Sequence, residues 1–192
     1  MSSLSSYFAH SSPITWMVLL ILSFYFIATF WIFIYRYRLI LQRLAIESRS
    51  LTRLYMGRSE MVSDDSLLAG YLRQIGRVSP EVLKAAVNDA VRSATRGLTQ
   101  LSIMASTSPF IGLFGTVVGI LEAFGRLGTQ KSASLSVVAP AISEALIATA
   151  AGIFVAVFAY AFHLLLKRKA YELQSLLESQ SEIVLAQTRK ER

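Results

Sequence analysis

Three long runs of apolar residues interrupt an otherwise mixed chain of 192 residues. They cover residues 14–35, 101–121 and 132–166, and at about 1.5 Å of rise per residue each is long enough, as a helix, to cross a hydrocarbon core of about 30 Å. The first two runs contain no charged residue, and the third contains Glu144 as its one carboxylate. This pattern predicts an all-α membrane protein with three transmembrane helices.

The segments between and after these runs have helical periodicity as well. In residues 36–100, Ser79 before Pro80 is typical of a helix N-cap followed by proline at the first helical position. Apolar residues then recur at helical spacing from Leu83 to Leu101, which predicts a helix that runs directly into the second span. Residues 167–192 show the same periodicity among charged residues. We therefore expect long helical extensions outside the membrane.

Two further features of the chain suggest helix boundaries. Asp64 and Asp65 precede a short apolar-periodic stretch, which predicts a helix capped by an aspartate and ended near Gly76. Pro109 and Pro140 are predicted to stand at helix starts near opposite membrane surfaces, because a proline inside a helix removes a hydrogen bond. The residues before them, 108 and 139, would then be boundary residues.

Basic residues predict the orientation of the spans. Residues 36–100 hold 11 of the 19 Lys and Arg, and residues 167–192 hold 6 more. Since basic residues near span ends stay in the cytoplasm, both segments should be cytoplasmic, with residues 1–13 and the turn at 122–131 on the outer side of the membrane. The net charge of +7 then reflects topology, so we expect lipid contacts and no nucleic-acid partner.

Composition excludes several kinds of chemistry. The chain has no cysteine and two histidines, which excludes thiolate catalysis and leaves no His-rich metal cluster. It carries no P-loop, dinucleotide-binding fingerprint or nucleophile elbow. We therefore expect no enzyme activity and no cofactor.

Glu144 is the leading candidate for function. A carboxylate within a span costs about 2.5–3.5 kcal/mol on insertion scales, so it normally faces a bundle interior or a wet cavity and marks a functional site. The competing interpretation is a glutamate that stays protonated and only fixes helix packing. Thr116 and Thr149 offer hydroxyls that can bond Glu144, orient water or bond back to their own helices. At 3.6 residues per turn Thr149 lies about 140° from Glu144.

Small residues on the second and third spans predict close helix packing. Such residues let backbones approach within a membrane. The candidate packing residues are Gly112, Gly115, Gly119, Ala148, Ala151 and Gly152. Below Glu144, at helical spacing, lie Ala148, Ala151 and Val155, which predicts a small, apolar inward-facing stripe that would conduct poorly by itself.

Two stretches carry a family resemblance. Residues 108–119 (SPFIGLFGTVVG) and 138–150 (VAPAISEALIATA) resemble the signature of the TolQ/ExbB/MotA proton-channel family. The resemblance implies that Glu144 takes the place of the family's intramembrane glutamate, and that Thr116 and Thr149 take the places of its pore threonines. Two departures occur, Val117-Val118 where a tryptophan is frequent and Ala141-Ile-Ser where Gly-Ile-Ala is common.

The resemblance also implies an assembly. In that family the subunits form a homo-oligomeric ring, expected to be a pentamer, around a TolR- or ExbD-like single-span partner with a membrane aspartate. A TolA- or TonB-like protein is a further implied partner, and protonmotive force drives the motor. Three spans favour the TolQ/ExbB branch over the four-span MotA branch. The other hypotheses are a non-conducting scaffold that recruits a single-span partner through its small-residue faces, and an autonomous ion channel.

Overall fold

The protein is a chain of α-helices. A computed structural model describes residues 13–56, 62–75, 79–129 and 135–190, and throughout these ranges the only secondary-structure elements are helices. In order they are α1 (Pro13–Tyr55), α2 (Leu67–Ile75), α3 (Pro80–Ala94), α4 (Leu98–Thr129) and α5 (Leu135–Lys190). The predicted all-α class is confirmed.

Three of the helices are long and apolar enough to cross a membrane. Stretches of α1, α4 and α5 have mean hydropathies of 2.5, 1.6 and 2.2, yet only 17–28% of their residues are buried within the protein. Apolar helices that leave most of their side chains exposed require a hydrocarbon solvent. The chain is therefore a three-span membrane protein. The span limits that the sequence suggests at residues 14–35, 101–121 and 132–166 stay predictions.

The helices form two compact units. The first, which we call the apolar unit, comprises Met1–Ile32 and Thr99–Phe162. Its core joins Val18 and Leu22 of α1 to Ala148 and Val155 of α5. A ladder of phenylalanine rings with centroids 4.8–6.1 Å apart continues this contact between α1 and α5. Its members are Phe26, Phe30, Phe154, Phe158 and Phe162.

The second unit, which we call the polar unit, comprises Phe33–Leu98 and His163–Arg192. It contains α2 and α3, which pack against each other, together with the C-terminal part of α1 and of α5. Its buried apolar side chains come from all four helices. They include Ile40, Leu54, Leu68, Leu83, Val87, Leu173 and Leu177.

A turn separates α3 from α4, so the predicted continuous helix is wrong. The break lies at residues 95–97, where Gly97 has a φ of 109°. The Leu98 N–H donates to the Thr95 carbonyl at 3.1 Å, which closes the turn. Glycine suits this position because other residues rarely adopt a positive φ. The apolar periodicity continues across residue 97, and this hides the turn in the sequence.

Helix starts agree with the sequence for α3 but not for α2. Ser79 caps α3 by accepting a hydrogen bond from the Val82 N–H at 3.3 Å, with Pro80 at the helix start, as predicted. The predicted aspartate cap of α2 is wrong, because Ser66 accepts from Leu68 N–H at 3.3 Å instead. Asp64 is exposed and pairs with Arg73. The predicted end of this helix at residue 76 lies outside the described residues.

Both prolines lie inside helices, which corrects the predicted boundaries. Pro109 is in α4 and Pro140 is in α5, so Ser108 and Ala139 are helical residues. Pro109 leaves the Ala105 carbonyl without its helical N–H, and the Ser108 hydroxyl donates to the preceding carbonyl, that of Met104, at 2.5 Å. Likewise, α4 continues through residues 122–129, so most of the predicted turn at 122–131 is helical. Residues 130–134 and the predicted N-terminal segment before residue 13 lie outside the described ranges.

Candidate proton-transfer site

The site begins with a close crossing of α4 and α5 in the apolar unit. A Cβ atom on Gly112 would stand 2.6 Å from the Ala148 carbonyl oxygen, and a Cβ on Gly152 would stand 2.5 Å from the Ser108 carbonyl oxygen. Carbon atoms of real side chains do not approach backbone atoms so closely. The two backbones therefore meet at glycines, the residue type that permits such an approach.

Contacts at slightly longer distances continue the crossing toward the C-terminus of α4. Cβ positions on Gly115 and Gly119 lie 3.0 Å from the Cβ atoms of Ala148 and Ala145 respectively, and Gly115 also faces Val18 of α1 at 3.0 Å. Ala145 and Ala148 are fully buried. Of the small residues singled out in the sequence, Ala151 is partly buried against the core of the apolar unit. The others lie directly in the crossing.

Thr116 and Thr149 meet at the crossing. Their hydroxyls are in direct hydrogen-bonding contact. Each also reaches a backbone carbonyl of the opposite helix, Thr116 to Ala145 at 3.0 Å and Thr149 to Gly112 at 3.1 Å. Thr116 lies 3.3 Å from its own helix carbonyl at Gly112 as well. The threonines therefore bond across the crossing, and neither hydroxyl bonds Glu144.

These contacts leave acceptor capacity at the pair. A threonine hydroxyl has one proton to donate and two lone pairs that accept. The pair has two protons for these contacts, so one hydroxyl donates to the other and the second donates to a carbonyl of the facing helix. Lone pairs then remain on the two oxygens, so this pair can accept a hydrogen bond from water or from a protonated group.

Glu144 lies one residue before the carbonyl that Thr116 contacts. Its side chain is half-buried. Around the helix axis it lies between the fully buried Ala145 and the exposed Ile147. No donor among the described residues hydrogen-bonds to its carboxylate. Five residues of α5 correspond to about 7.5 Å of rise, which is the axial distance from Glu144 to Thr149. Glu144 thus directly precedes the residue whose carbonyl Thr116 contacts, and no described residue donates to its carboxylate.

The row of α5 residues below Glu144 does not form the predicted inward-facing stripe. Ala148 and Val155 are buried in the subunit's own core, against Val18 and Leu22 of α1. The helical spacing was right, but the sequence does not indicate which neighbour covers that face. Helix α1 therefore covers part of the face of α5 that lies below Glu144.

Comparison with known proteins places the chain in a family. The model of the MotA/TolQ/ExbB proton channel family matches residues 60–179, which include the whole crossing and Glu144. The chain belongs to this family.

Several named members align with the chain. A Helicobacter pylori protein described as an ExbB-like biopolymer transport protein is 42% identical over 184 residues, covering 96% of this chain and 97% of that protein. The Tol-Pal system protein TolQ of Haemophilus influenzae is 44% identical over 94 residues, which are 45% of this chain and 41% of TolQ. The biopolymer transport protein ExbB of Neisseria gonorrhoeae is 52% identical over 61 residues, 32% of this chain and 28% of ExbB. Membership of the TolQ/ExbB branch is thus confirmed.

Other ionisable residues of this family member lie apart from the crossing. Glu122 is half-buried in α4, and His163 contacts the Leu98 carbonyl within the polar unit. The side chain of Arg126 and the whole of Lys131 lie outside the described residues. No group of three His, Asp or Glu residues that could hold a metal ion is found in the described part of the chain.

One buried acid was missed from the sequence. Glu47 of α1 is fully buried in the polar unit and accepts hydrogen bonds from the Ser66 hydroxyl at 2.7 Å and the Leu67 N–H at 2.8 Å. Gln180 of α5, also fully buried, donates to the same carboxylate at 3.0 Å and to the Glu47 carbonyl at 2.9 Å. The sequence did contain an indication of this burial. Glu47 is seven residues, or about two helical turns, from both Ile40 and Leu54 and so shares the buried face of α1 with them. It lies outside the segment matched by the family model.

Proposed function

We propose that this protein is the proton-channel subunit of a motor in the bacterial inner membrane, driven by protonmotive force, that energises a cell-envelope process of the Tol-Pal or TonB type. The observation that carries the proposal is the position of Glu144, a lone carboxylate in an apolar span, directly before the Ala145 carbonyl that the Thr116–Thr149 pair contacts. Family membership supplies the class of activity.

In this proposal Glu144 gains and loses the transported proton. A carboxylate without a bonding partner among the described residues is available to a proton donor. The two threonine oxygens, with lone pairs directed away from the carbonyls, orient a water molecule or hydronium near the carboxylate. The glycines keep the two helices close enough for the hydroxyls to meet.

The proposal includes partners. Exposed apolar side chains on α4 and α5, such as Phe110, Leu113, Leu146 and Phe154, provide surfaces for neighbouring subunits and a single-span partner. We propose a homo-oligomer, a pentamer, around a TolR- or ExbD-like protein whose membrane aspartate exchanges protons with Glu144. A TolA- or TonB-like protein carries the motion toward the outer membrane. The N-terminus lies in the periplasm and the C-terminus in the cytoplasm.

The decisive variant is Glu144→Gln, which keeps the shape of the side chain and removes titration. We expect the purified complex to retain its subunit composition while energy-dependent function in cells falls to the level of a deletion strain. The matched control is Glu122→Gln, the same change on a half-buried glutamate of the same unit, which should retain most of the activity. Full activity of Glu144→Gln would support the scaffold hypothesis and exclude the proton role.

A further inference from the structure

The turn between α3 and α4 carries one basic residue and lies against basic residues from two helices of the polar unit. Arg36 of α1 packs on the turn, Arg96 is part of it, and His163 of α5 hydrogen-bonds to the residue that follows it. Lys167 stands one helical turn beyond His163 on the same side of α5. We call Arg36, Arg96, His163 and Lys167 the basic cluster. None of these four residues belongs to the proposed proton site.

Arg36 is held against the turn by shape. Its Cγ and Nε atoms each lie 3.1 Å from the position that a Cβ on Gly97 would occupy. Its guanidinium also lies 5.6 Å from the centre of the Tyr35 ring, within the range of a cation–π contact. Arg36 is half-buried and Arg96 is exposed. Gly97 thus leaves room for the Arg36 side chain to cross the turn. The residue before Gly97 in the chain is a second arginine, Arg96.

At the same turn, His163 is bonded through one of its two ring nitrogens. Its Nδ1 lies 3.1 Å from the Leu98 carbonyl oxygen, and because a carbonyl only accepts, Nδ1 must carry the hydrogen. Within the described residues Nε2 has no partner. Lys167 lies 5.9 Å from the centre of the Tyr171 ring, so its stem is positioned by an aromatic contact and not by a carboxylate.

The cluster has no acidic counterpart. No carboxylate among the described residues lies within 4.0 Å of any of its four side chains. The first turn of α4 carries no acid. The neighbouring acids are engaged elsewhere, since Glu172 pairs with Lys169 and Arg168, and Asp89 accepts from Tyr71. Like charges brought together without a counter-charge repel each other, and an anion between them relieves the repulsion.

The surroundings of the cluster distinguish the kind of anion. Arg36 directly follows the apolar run of α1, and the exposed Ile34 and Tyr35 precede it. On α5, Leu164 and Leu165 lie beside His163 and are 45% and 49% exposed. Exposed apolar side chains next to cationic ones are typical of the level at which acyl chains meet headgroups. A soluble anion would gain nothing from this apolar border.

We propose that the basic cluster binds the phosphate of an anionic phospholipid headgroup, with the acyl chains on the neighbouring exposed apolar side chains. Arg36 and Arg96 bind phosphate oxygens and Lys167 adds charge, while His163 holds the turn through the Leu98 carbonyl. The site lies apart from Glu144 and the threonine pair. Its test is therefore independent of the proposed proton channel.

The experiment measures lipid selectivity in a bilayer. The full chain, purified with its native partners, is reconstituted in phosphatidylcholine vesicles with a trace of spin-labelled phosphatidylglycerol or spin-labelled phosphatidylcholine. Electron paramagnetic resonance gives the ratio of their association constants. We expect the wild type to prefer phosphatidylglycerol several-fold, and Arg36→Gln with Arg96→Gln to reduce that preference to less than twofold.

Two control variants separate charge at the cluster from total charge and from packing. Arg49→Gln with Arg53→Gln removes two exposed arginines from α1 outside the cluster and should keep the preference. Arg36→Lys with Arg96→Lys keeps the charge and should keep at least half of it. Retained preference in Arg36→Gln/Arg96→Gln, or equal loss in the Arg49/Arg53 control, would overturn the proposal.

A second measurement identifies the source of the phosphate. Inorganic phosphate at 10-fold excess over the labelled lipid, as a probe, should leave the preference unchanged. If inorganic phosphate abolishes it, the ligand is free phosphate and the lipid assignment is wrong. Circular dichroism and the subunit composition of each variant establish that the comparison involves folded protein.

Discussion

Gly152 in α5 lies so close to α4 that a Cβ on it would stand 3.0 Å from the Gly112 Cα atom and 2.5 Å from the Ser108 carbonyl oxygen. Neither obstacle is the end of a flexible side chain. The crossing that brings the two threonine hydroxyls together therefore depends on the absence of a single carbon atom.

Gly152→Ala should destabilise the protein and separate the threonine pair. Alanine would force the helix backbones apart, and overpacking of this kind typically costs about 1–3 kcal/mol. Thermal unfolding in detergent should show a lower midpoint than for the wild type. Gly125→Ala is the control, because a Cβ there meets nothing within 4 Å, and alanine in a helix interior should leave stability equal or raise it. Equal midpoints for both variants would contradict the close approach.

Thr149→Val should separate function from stability. Valine keeps the shape of threonine and removes the donor to the Gly112 carbonyl, which retains its main-chain hydrogen bond. Side-chain hydrogen bonds in membrane proteins contribute on average about 0.6 kcal/mol, so unfolding should change little. Energy-dependent activity should fall at least 10-fold, because the hydroxyl pair is lost.

Thr107→Val is the matched control for this prediction. Thr107 lies in α4, as Thr116 does, and among the described residues its hydroxyl bonds to the Ile103 carbonyl of its own helix alone. Activity should stay within about twofold of the wild type. If Thr107→Val and Thr149→Val reduce activity alike, the threonine pair has no special role.

Glu47→Ala should strongly destabilise the polar unit. The substitution leaves the Leu67 N–H without its acceptor and removes the carboxylate that the Ser66 hydroxyl and the Gln180 amide share. Ser66 keeps its contact with Gln180 and Gln180 keeps the main-chain carbonyl of residue 47. A buried donor left unsatisfied costs about 1–3 kcal/mol. Hydrogen exchange of the Leu67 amide should accelerate at least 10-fold. Glu178→Ala, which removes an exposed carboxylate from α5, should leave both exchange and unfolding close to wild type.

Ser79→Ala should change the acid stability of α3. The pKa of Glu81 is lowered by a hydrogen bond from backbone N–H at the helix start and, secondly, by the Ser79 hydroxyl. A lowered pKa contributes stability above the unfolded value of 4.5, and this contribution is lost as pH falls through the folded value. In Ser79→Ala the pKa of Glu81 should therefore rise, as carboxyl NMR titration would show.

The cap itself gives a second readout for the same variant. Replacing an N-cap serine by alanine costs about 1 kcal/mol, which should appear at neutral pH as faster exchange of the Val82 amide. Ser93→Ala, on an exposed position of the same helix, should alter neither the Glu81 titration nor this exchange rate. A shift in both variants would mean that the effect is not due to the cap.

Local chemistry allowed part of the fold to be read from the sequence. The three apolar helices and the Ser79 cap follow from short patterns whose physical cause lies within a few residues. The Gly97 turn was missed because its apolar neighbours keep helical spacing on both sides. Pro109 was placed at a helix boundary because soluble helices rarely tolerate an internal proline, whereas α4 continues through it.

Tertiary partners account for the remaining differences. The sequence identified Thr116 and Thr149 as candidates, but it did not show that their hydroxyls contact each other. The two residues are 33 positions apart on different helices, and the sequence does not show which faces of those helices meet. Glu47 was overlooked because a glutamate in a charged helical segment is usually solvated. Hydrogen bonds from Ser66, Leu67 and Gln180, which lie in other parts of the chain, make its burial tolerable.

The contacts of the threonine pair have one more consequence. The pair holds two protons for three contacts, namely the contact between its own hydroxyls and those with the carbonyls of Ala145 and Gly112. One contact therefore lacks a proton at any moment, and the two hydroxyls can exchange the roles of donor and acceptor by rotation alone. The close approach of the helices thus fixes the positions of these oxygen atoms but leaves the direction of the hydrogen bonds between them reversible.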